Sequence, residues 1–301
     1  MYDLIVIGGG PAGITAAALA IQRRLETLII CEKLGGKAVY AAHLLEDVEG
    51  YETITGERLL SRFLNQIRYL DFARCHDRAV QIEPCGDYYI VRTRGGEQFE
   101  TRAIIVCTGV SYERLPLPED EQLIGRGISY SVFSHGPLFL GKDVAVYGYK
   151  QRALLAAAEL AQGGAHHVYL IAPQPLAEEN HLLQRLRAMD NVTIHEGATI
   201  EAVTGENYVE GITVRLADGS RQQIPVKGLF VKLDVKPNSE LVADLVELDE
   251  EGYIKVDKEG HTSRPGIFAA GDVEGICDLM LASIGEGVKA MISACEYLLT
   301  R

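Results

Sequence analysis

The chain has 301 residues, of which 47% are hydrophobic and 24% charged, and its formal net charge at pH 7 is −13. This length is enough for about two domains with separate cores. The negative charge argues against nucleic acid as a partner, because phosphate binding needs a positive surface. The sequence contains no apolar run long enough to cross a membrane, and the apolar N-terminal segment lacks a basic leader, so we expect a cytoplasmic protein with no membrane partner.

The N-terminal stretch has the order of elements that a dinucleotide-binding unit requires. Residues 3–7 form a short apolar run typical of a strand buried on both faces, and a glycine-rich turn follows at residues 8–13. An alanine-rich helix is predicted for residues 14–24 and a second buried strand for residues 25–30, with the acidic Glu32 shortly after it. Strand, turn, helix, strand and acid together favour nucleotide binding over a glycine-rich turn in an unrelated α/β protein.

Each glycine of this turn has a specific role in such a unit. Gly8 allows the tight turn, and Gly10 lets backbone approach a pyrophosphate at the helix N-terminus. Gly13 lets the helix pack closely on the strand. Glu32 is placed to accept hydrogen bonds from ribose hydroxyls.

A second glycine turn and a long amphipathic helix come next. The turn lies at residues 33–37, and a helix is predicted from about residue 55 to residue 72. One face of this helix carries Arg58, Arg62 and Arg68. Two interpretations stay open: a solvated helix face, or a docking surface for an acidic protein.

The rest of the chain alternates strands and helices. Residues 79–103 predict an antiparallel meander, and the buried strand 103–106 leads into Cys107-Thr108-Gly109. A second α/β unit is predicted to begin near residue 114. The chain then returns through strands at residues 252–256 and 267–270 to a final helix at residues 279–299. In the second unit we predict strands at 141–147, 167–171, 192–196, 200–203, 212–216 and 228–232, and helices at 152–162 and 181–189.

Three separated motifs resemble the low-molecular-weight thioredoxin reductase family. They are the Gly8–Gly13 turn with Glu32, the Cys107-Thr108-Gly109 strand end, and the segment 262–272 that ends in Gly271-Asp272. The resemblance covers essentially the whole chain. It implies an α/β fold with two Rossmann-like three-layer domains of the pyridine nucleotide-disulfide oxidoreductase type and a small antiparallel meander. An FAD-binding domain is expected at residues 1–113 and 240–301, and an NAD(P)-binding-like domain at residues 114–239.

The resemblance also implies where FAD binds. Asp272 would hold the ribityl or phosphate end of FAD, and backbone around Met280, at the start of the last helix, would face the flavin pyrimidine ring. Lys37 and Asp47 depart from the glutamine and asparagine usual at those places in the family. The full set implied to contact FAD also includes Gly8, Gly10, Pro11, Ala12, Gly13, Glu32, Lys33, Gly36, Val80, Thr108, Gly109 and Gly271.

The motif that binds NADPH in the family is degenerate here. After the strand at residues 141–147 the chain reads Gly148-Tyr149-Lys150-Gln151-Arg152-Ala153, so a long side chain stands where backbone should approach the pyrophosphate. The basic cluster expected after the next strand is replaced by residues 172–176, which carry no charge. Ordinary NADPH binding is therefore not expected. Lys150 and Arg152 are either two surface charges on a vestigial site or a place for another anion or nucleotide.

The redox-active dithiol of the family is also missing. The two cysteines of its CxxC motif fall on Ser131 and Ser134, and a hydroxyl cannot cycle between dithiol and disulfide. The acid that assists thiol exchange falls on His135. This histidine is either a proton donor near the flavin or a histidine satisfied by local hydrogen bonds.

The six cysteines show no metal-ligand spacing, so neither a metal site nor a disulfide framework is expected. Cys277 and Cys107 are the candidates for a substitute redox thiol, because the resemblance places both near the flavin. The alternative is that both are small buried apolar residues.

These observations lead to one preferred function and two alternatives. The preferred one is a flavoenzyme whose FAD takes electrons from a donor such as ferredoxin or flavodoxin and passes them to an unknown acceptor. A non-catalytic FAD-binding scaffold or redox sensor is the first alternative, and a flavoprotein with a second flavin or nucleotide in the degenerate domain is the other. The resemblance also implies a homodimer.

Overall fold

The computed structural model describes residues 1–36, 73–275, 277 and 279–301, together with the backbone of two short strands at residues 44–45 and 54–55. The predicted helix at residues 55–72 with its three arginines, and the predicted FAD contacts Lys37 and Asp47, lie outside the described residues. Within the described ranges, no helix has the length and apolar character needed to span a membrane.

The secondary structure of the described residues alternates strands and helices along most of the chain. The strands are β1 (Tyr2–Ile7), β2 (Thr27–Ile30), β3 (Leu44–Leu45), β4 (Ile54–Thr55), β5 (Arg74–Cys75), β6 (Ala79–Cys85), β7 (Tyr88–Thr93), β8 (Gln98–Val106), β9 (Val110–Tyr112), β10 (Ile128–Ser129), β11 (Asp143–Tyr147), β12 (His167–Ala172), β13 (Val192–Glu196), β14 (Thr199–Thr204), β15 (Gly211–Arg215), β16 (Arg221–Ile224), β17 (Gly228–Val231), β18 (Val235–Pro237) and β19 (Ile267–Ala269). The helices are α1 (Pro11–Gln22), α2 (Glu119–Leu123), α3 (Val132–His135), α4 (Gln151–Gln162), α5 (His181–Arg187) and α6 (Met280–Leu299), and two 3₁₀ helices lie at Gly136–Phe139 and Glu240–Val242.

The chain forms two compact units, the first containing residues 1–36, 73–111 and 235–301. This unit is built on a seven-stranded sheet in the order β5-β2-β1-β8-β7-β6, with β19 also pairing with β8. β1 runs parallel to both β2 and β8, so its residues Leu4–Ile7 are buried on both faces, as an unbroken apolar run predicts. α1 and α6 pack on one face of this sheet, where Ala16, Ala290 and Ala294 are fully buried.

The second unit contains residues 112–234. Its five-stranded parallel sheet has the order β10-β17-β11-β12-β13, and α4 and α5 cover one face of it. The other face packs on a three-stranded antiparallel sheet formed by β14, β15 and β16. The strand order reverses beside β11, and ligands of open α/β sheets bind at the carboxyl ends of strands around such a reversal.

The fold class predicted from the sequence is confirmed, with three corrections in detail. The last meander strand and the following buried strand are one continuous strand, β8, because its residues pair with β7 at one end and with β1 at the other. Residues 252–256 contribute an isolated bridge between Leu248 and Ile254 rather than a strand. The short strands β5 and β16 were not predicted, because neither has an alternating apolar pattern.

A pair of partly buried carboxyl groups lies where α6 packs on the turn after β19. Glu286 of α6 accepts a hydrogen bond from the backbone amide of Gly271 at 3.0 Å. Glu274 has a fully buried Oε2 with no hydrogen-bond partner among the described residues. Burial, together with the charge of Glu286, raises the pKa of Glu274 to about 7. The structure therefore holds Glu274 as a neutral acid over part of the physiological pH range.

This raised pKa predicts a pH-dependent stability that Glu274→Gln removes. The folded protein binds the proton more tightly than the unfolded chain, whose glutamate pKa is about 4.3. The stabilisation is therefore complete below that pH and is lost as the pH rises through about 7. Between pH 5 and pH 8, chemical denaturation in excess FAD should show the wild-type unfolding free energy falling by about 1 to 3 kcal/mol more than that of the variant.

The matched control is Glu250→Gln, at an exposed position of the same unit. This control should keep the wild-type pH dependence. Equal pH slopes for the wild type and Glu274→Gln would show that the Glu274 carboxyl is not held in its neutral form.

Candidate functional site

The turn after β1 is formed by backbone groups in very close contact. Gly8 has φ +117°, and a Cβ atom there would lie 2.1 Å from the carbonyl oxygen of Cys107. A Cβ on Gly13 would lie 2.0 Å from the carbonyl oxygen of Gly8. Both positions therefore require glycine for the fold itself, as the spacing of the motif predicts.

Gly10 differs, because the space around it is open. It is the N-cap of α1, with φ −75°, and no described atom lies within 4 Å of a Cβ built on it. Pro11 occupies the first helical position, where its missing amide hydrogen costs no hydrogen bond. The helix N-terminus beside Gly10 is thus accessible to an anionic ligand such as a pyrophosphate, and the residues present fit that group.

The second glycine turn packs directly against the first. The backbone amide of Gly35 donates to the carbonyl oxygen of Gly9 at 2.6 Å. Gly36 has φ +53°, and a Cβ on it would lie 3.0 Å from the Cα of Gly10. A Cβ on Gly9 would lie 2.6 Å from the carbonyl oxygen of Lys33. The structure therefore joins these two predicted motifs into one surface.

Glu32 lies just beyond the end of β2, with its carboxylate exposed. Its Oε1 atom pairs with Nη1 of Arg94 at 3.0 Å. The sequence did not single out Arg94, which lies in the turn between β7 and β8. Val80, at the start of β6, is half exposed, with 50% of its surface accessible.

The strand end after β8 is held by Asn238, another residue that the sequence did not indicate. The hydroxyl of Thr108 donates to the carbonyl oxygen of Asn238 at 2.6 Å, and Nδ2 of Asn238 donates to the carbonyl oxygen of Thr108 at 2.9 Å. A third bond runs from the backbone amide of Asn238 to the carbonyl oxygen of Gly109. Gly109 has φ +65° with open space beside it, so the chain turns here without filling the neighbouring volume.

The C-terminal motif meets α1 through residues without bulky side chains. A Cβ on Gly287 would lie 2.4 Å from the carbonyl oxygen of Ala12, and one on Gly271 would lie 3.1 Å from the Cβ of Ala12. Asp272 is buried, and its Oδ1 accepts a hydrogen bond from the backbone amide of Cys277 at 3.3 Å. α6 begins at Met280, as predicted.

The structure separates the two cysteine candidates. Cys277 is exposed and its backbone is tied to Asp272. Cys107 is buried, and burial, with the nearby charges of Glu274 and Glu286, raises the pKa of its thiol far above the ordinary value. A thiol that stays protonated is a poor nucleophile, so only Cys277 keeps the accessibility that thiol chemistry needs.

In the second unit, the turn after β11 has one glycine in close contact and two charged side chains in place of the others. A Cβ on Gly148 would lie 2.2 Å from the carbonyl oxygen of Lys232, so this glycine is required for packing. Lys150 is the N-cap of α4, and its ammonium group pairs with Asp234 at 2.7 Å. The hydroxyl of Tyr149 also donates to Asp234, at 3.2 Å. Asp234 thereby compensates the positive charge that Lys150 brings to the helix start.

The region after β12 is organised by carboxylates. Arg187 donates to both carboxylate oxygens of Glu178, at 2.6 and 2.8 Å, and to Glu196 at 2.7 Å. Glu196 also accepts a hydrogen bond from the backbone amide of Leu176 at 3.0 Å. A 2′-phosphate needs uncompensated cations, whereas the guanidinium of Arg187 is held between two acids.

The two serines at the positions of the CxxC motif form a hydrogen-bonded pair. Ser131 is the N-cap of α3, accepts from the backbone amide of Ser134 and donates to its hydroxyl, both at 3.3 Å. His135 is buried, and its Nδ1 lies 2.7 Å from Oγ of Ser129. This geometry favours the interpretation of His135 as a histidine held by local hydrogen bonds over that of an exposed proton donor.

Comparisons with known proteins agree with this architecture. A family model described as pyridine nucleotide-disulphide oxidoreductase matches residues 2–287. One of the alkyl hydroperoxide reductase subunits of Staphylococcus aureus (strain MRSA252) is 35% identical over 99% of this chain, and the same subunit of Staphylococcus epidermidis (strain ATCC 35984) is 32% identical over the same share. The chain spans 59% of the length of these curated relatives.

Solved structures of similar shape include two thioredoxin reductases. That of Streptococcus pyogenes MGAS5005 superposes with a TM-score of 0.93 at 29% identity and covers 100% of this chain and 99% of its own. That of Giardia duodenalis has a TM-score of 0.90 at 22% identity and covers 99% of both chains, which supports the fold alone.

These matches confirm the predicted resemblance, the oxidoreductase class and FAD as the cofactor. The matched region includes both glycine turns, the Thr108 strand end and the Asp272 motif. The chain therefore belongs to the pyridine nucleotide-disulphide oxidoreductase family and is thioredoxin reductase-like.

Proposed function

We propose that the chain is an FAD-dependent oxidoreductase that takes electrons from a small electron-transfer protein, such as ferredoxin or flavodoxin, rather than from NADPH. The electrons pass to an acceptor without a dithiol at positions 131 and 134. The observation that carries this proposal is the Ser131–Ser134 hydroxyl pair, which stands where the family has its redox-active cysteines. A serine hydroxyl forms no disulfide, so this relay is closed.

FAD is proposed to bind the first unit along the surface built from both glycine turns. The open N-terminus of α1 at Gly10 receives the pyrophosphate, and Glu32 accepts the ribose hydroxyls of the adenosine half. Asp272 holds the ribityl or phosphate end, and the N-terminus of α6 at Met280 faces the flavin ring. When bound, the flavin supplies one- and two-electron transfer. The other proposed contacts are Gly8, Pro11, Ala12, Gly13, Lys33, Gly36, Val80, Thr108, Gly109 and Gly271, and Lys37 and Asp47 remain proposed from the sequence alone.

The second unit supports the proposal that NADPH is not the donor. A dinucleotide pyrophosphate needs free backbone amides at the start of the helix after β11. Here Lys150 and Tyr149 meet at Asp234 beside that helix start. The arginine nearest the β12 loop, Arg187, is already paired with two carboxylates. The electrostatics of this unit therefore disfavour both phosphate positions of NADPH.

Gly10→Ala tests the proposed FAD site. Its φ of −75° suits alanine and no described atom obstructs the new methyl group, so folding should be unaffected. The methyl group would instead occupy the space of the pyrophosphate, and we expect at least a roughly tenfold weaker FAD affinity, measured by flavin fluorescence quenching on apoprotein. Gly136→Ala, where the methyl group makes ordinary contacts of 3.5 and 3.6 Å, is the control and should bind FAD normally. Unchanged FAD affinity in Gly10→Ala would refute this site.

Anaerobic stopped-flow reduction tests the electron donor. The FAD-loaded protein is mixed separately with NADPH, NADH, reduced ferredoxin and reduced flavodoxin, and the loss of flavin absorbance is followed. We expect rapid bleaching by a reduced carrier protein and none by either pyridine nucleotide. Rapid stoichiometric bleaching by NADPH would contradict the proposal. If no donor reduces the flavin, the protein is better described as an FAD-binding scaffold or sensor.

A homodimer is part of the same proposal. The face of α6 opposite the packed α1 exposes Leu281, Ile292 and Leu299, with 43%, 42% and 87% of their surfaces accessible. Apolar residues repeated along one exposed helix face are typical of a surface that packs against another chain. Light scattering of the purified protein should give twice the chain mass of 32.9 kDa, and Ile292→Glu should lower it to that mass. A wild-type mass of one chain would remove the dimer from the proposal.

A further inference from the structure

An ion pair at the edge of the proposed FAD site has no role in the function described so far. Nη1 of Arg94 lies 3.0 Å from Oε1 of Glu32, and both residues belong to the first unit. Their side chains are 57% and 53% exposed. Exposed pairs of this kind typically stabilise a fold by about 0 to 1 kcal/mol, so fold stability alone gives little reason for this contact.

The backbone that carries Arg94 is nevertheless firmly fixed. The carboxylate of Asp77 accepts hydrogen bonds from the backbone amides of Arg78 and Gly95, each at 2.7 Å. The amide of Arg94 donates to the carbonyl oxygen of Arg78 at 2.9 Å. A hydrogen bond from Thr93, followed by those from the two amides, lowers the pKa of Asp77, so this carboxylate stays ionised and holds the turn.

Glu32 keeps acceptor capacity when paired in this way. A carboxylate has about four acceptor positions, and the guanidinium uses one on Oε1. The remaining positions can accept ribose hydroxyls, while the arginine keeps the carboxylate ionised and restricts its rotamers. Restricting a group in its binding conformation before the ligand arrives lowers the entropy cost of binding.

We propose that Arg94 is a positioning residue for FAD: it holds the Glu32 carboxylate in the orientation that accepts the ribose hydroxyls of the adenosine half. The inference rests on the proposed FAD site, since it assigns Glu32 to that ribose. Arg94 acts only on the adenosine half of the cofactor. Its effect must therefore appear with FAD and be absent with FMN, which lacks adenosine.

The test compares FAD and FMN binding to apoprotein of the wild type and of Arg94→Ala, by flavin fluorescence with each flavin titrated to saturation. Loss of one charge-assisted hydrogen bond and of pre-organisation should weaken FAD binding about tenfold. FMN binding should not change. Arg94→Lys should recover most of the FAD affinity, and Arg94→Ala added to Glu32→Gln should weaken FAD binding little further, because both substitutions disrupt one interaction.

The matched control is Arg92→Ala, on the same hairpin. Arg92 forms a similar ion pair with Glu83 at 3.1 Å, and its removal should leave FAD affinity unchanged. An equal loss of FAD and FMN affinity in Arg94→Ala, or no loss at all, would overturn the inference. If Glu32→Gln weakens FAD binding and Arg94→Ala does not, only the role of Arg94 fails. If Glu32→Gln has no effect, the proposed ribose contact itself fails.

Discussion

The first unit depends on backbone approaching backbone where no side chain can fit. A Cβ on Gly8 would collide with the carbonyl oxygen of Cys107, one on Gly13 with Gly8, and one on Gly287 with Ala12. These contacts bring β1, β8, α1 and α6 together at one point. Because α1 is drawn so close to the sheet, its N-terminus lies at the carboxyl end of β1, where a pyrophosphate meets free amides and the positive end of the helix dipole.

The two units treat the same kind of turn in opposite ways. In the first unit the glycine at the helix N-cap, Gly10, has open space around it. In the second unit the N-cap is Lys150, which pairs with Asp234. Packing glycines are retained in both, since Gly8 and Gly148 each lie against a carbonyl oxygen. The second unit therefore keeps the residues that its fold requires and replaces those that would contact a dinucleotide, which is the basis for proposing a different electron donor.

The sequence predicted what depends on local pattern and on glycine sterics. Unbroken apolar runs located the buried parallel strands, and the spacing of Gly8, Gly10 and Gly13 located the turn that the structure shows. It did not predict interactions between residues distant in the chain. Arg94 meets Glu32, and Asn238 holds Thr108, only because the sheet brings those segments together. No local pattern encodes such contacts.

The raised pKa of Glu274 was also beyond sequence reasoning, because it results from burial and from a neighbouring carboxylate on another element. By contrast, the serine pair at positions 131 and 134 was visible directly, and the structure added that the two hydroxyls contact each other at the start of α3. Substitutions of chemical groups are legible in the sequence, whereas their electrostatic surroundings need the fold.

The central claim is that FAD binds the first unit while the second unit has no functional site for a pyridine nucleotide. The most direct measurement is calorimetric titration of the FAD-loaded protein with NADP⁺, which binds without reacting with oxidised flavin. The account predicts no saturable heat at any accessible nucleotide concentration. A one-to-one binding isotherm that is lost in a variant of the Gly148 turn would contradict it.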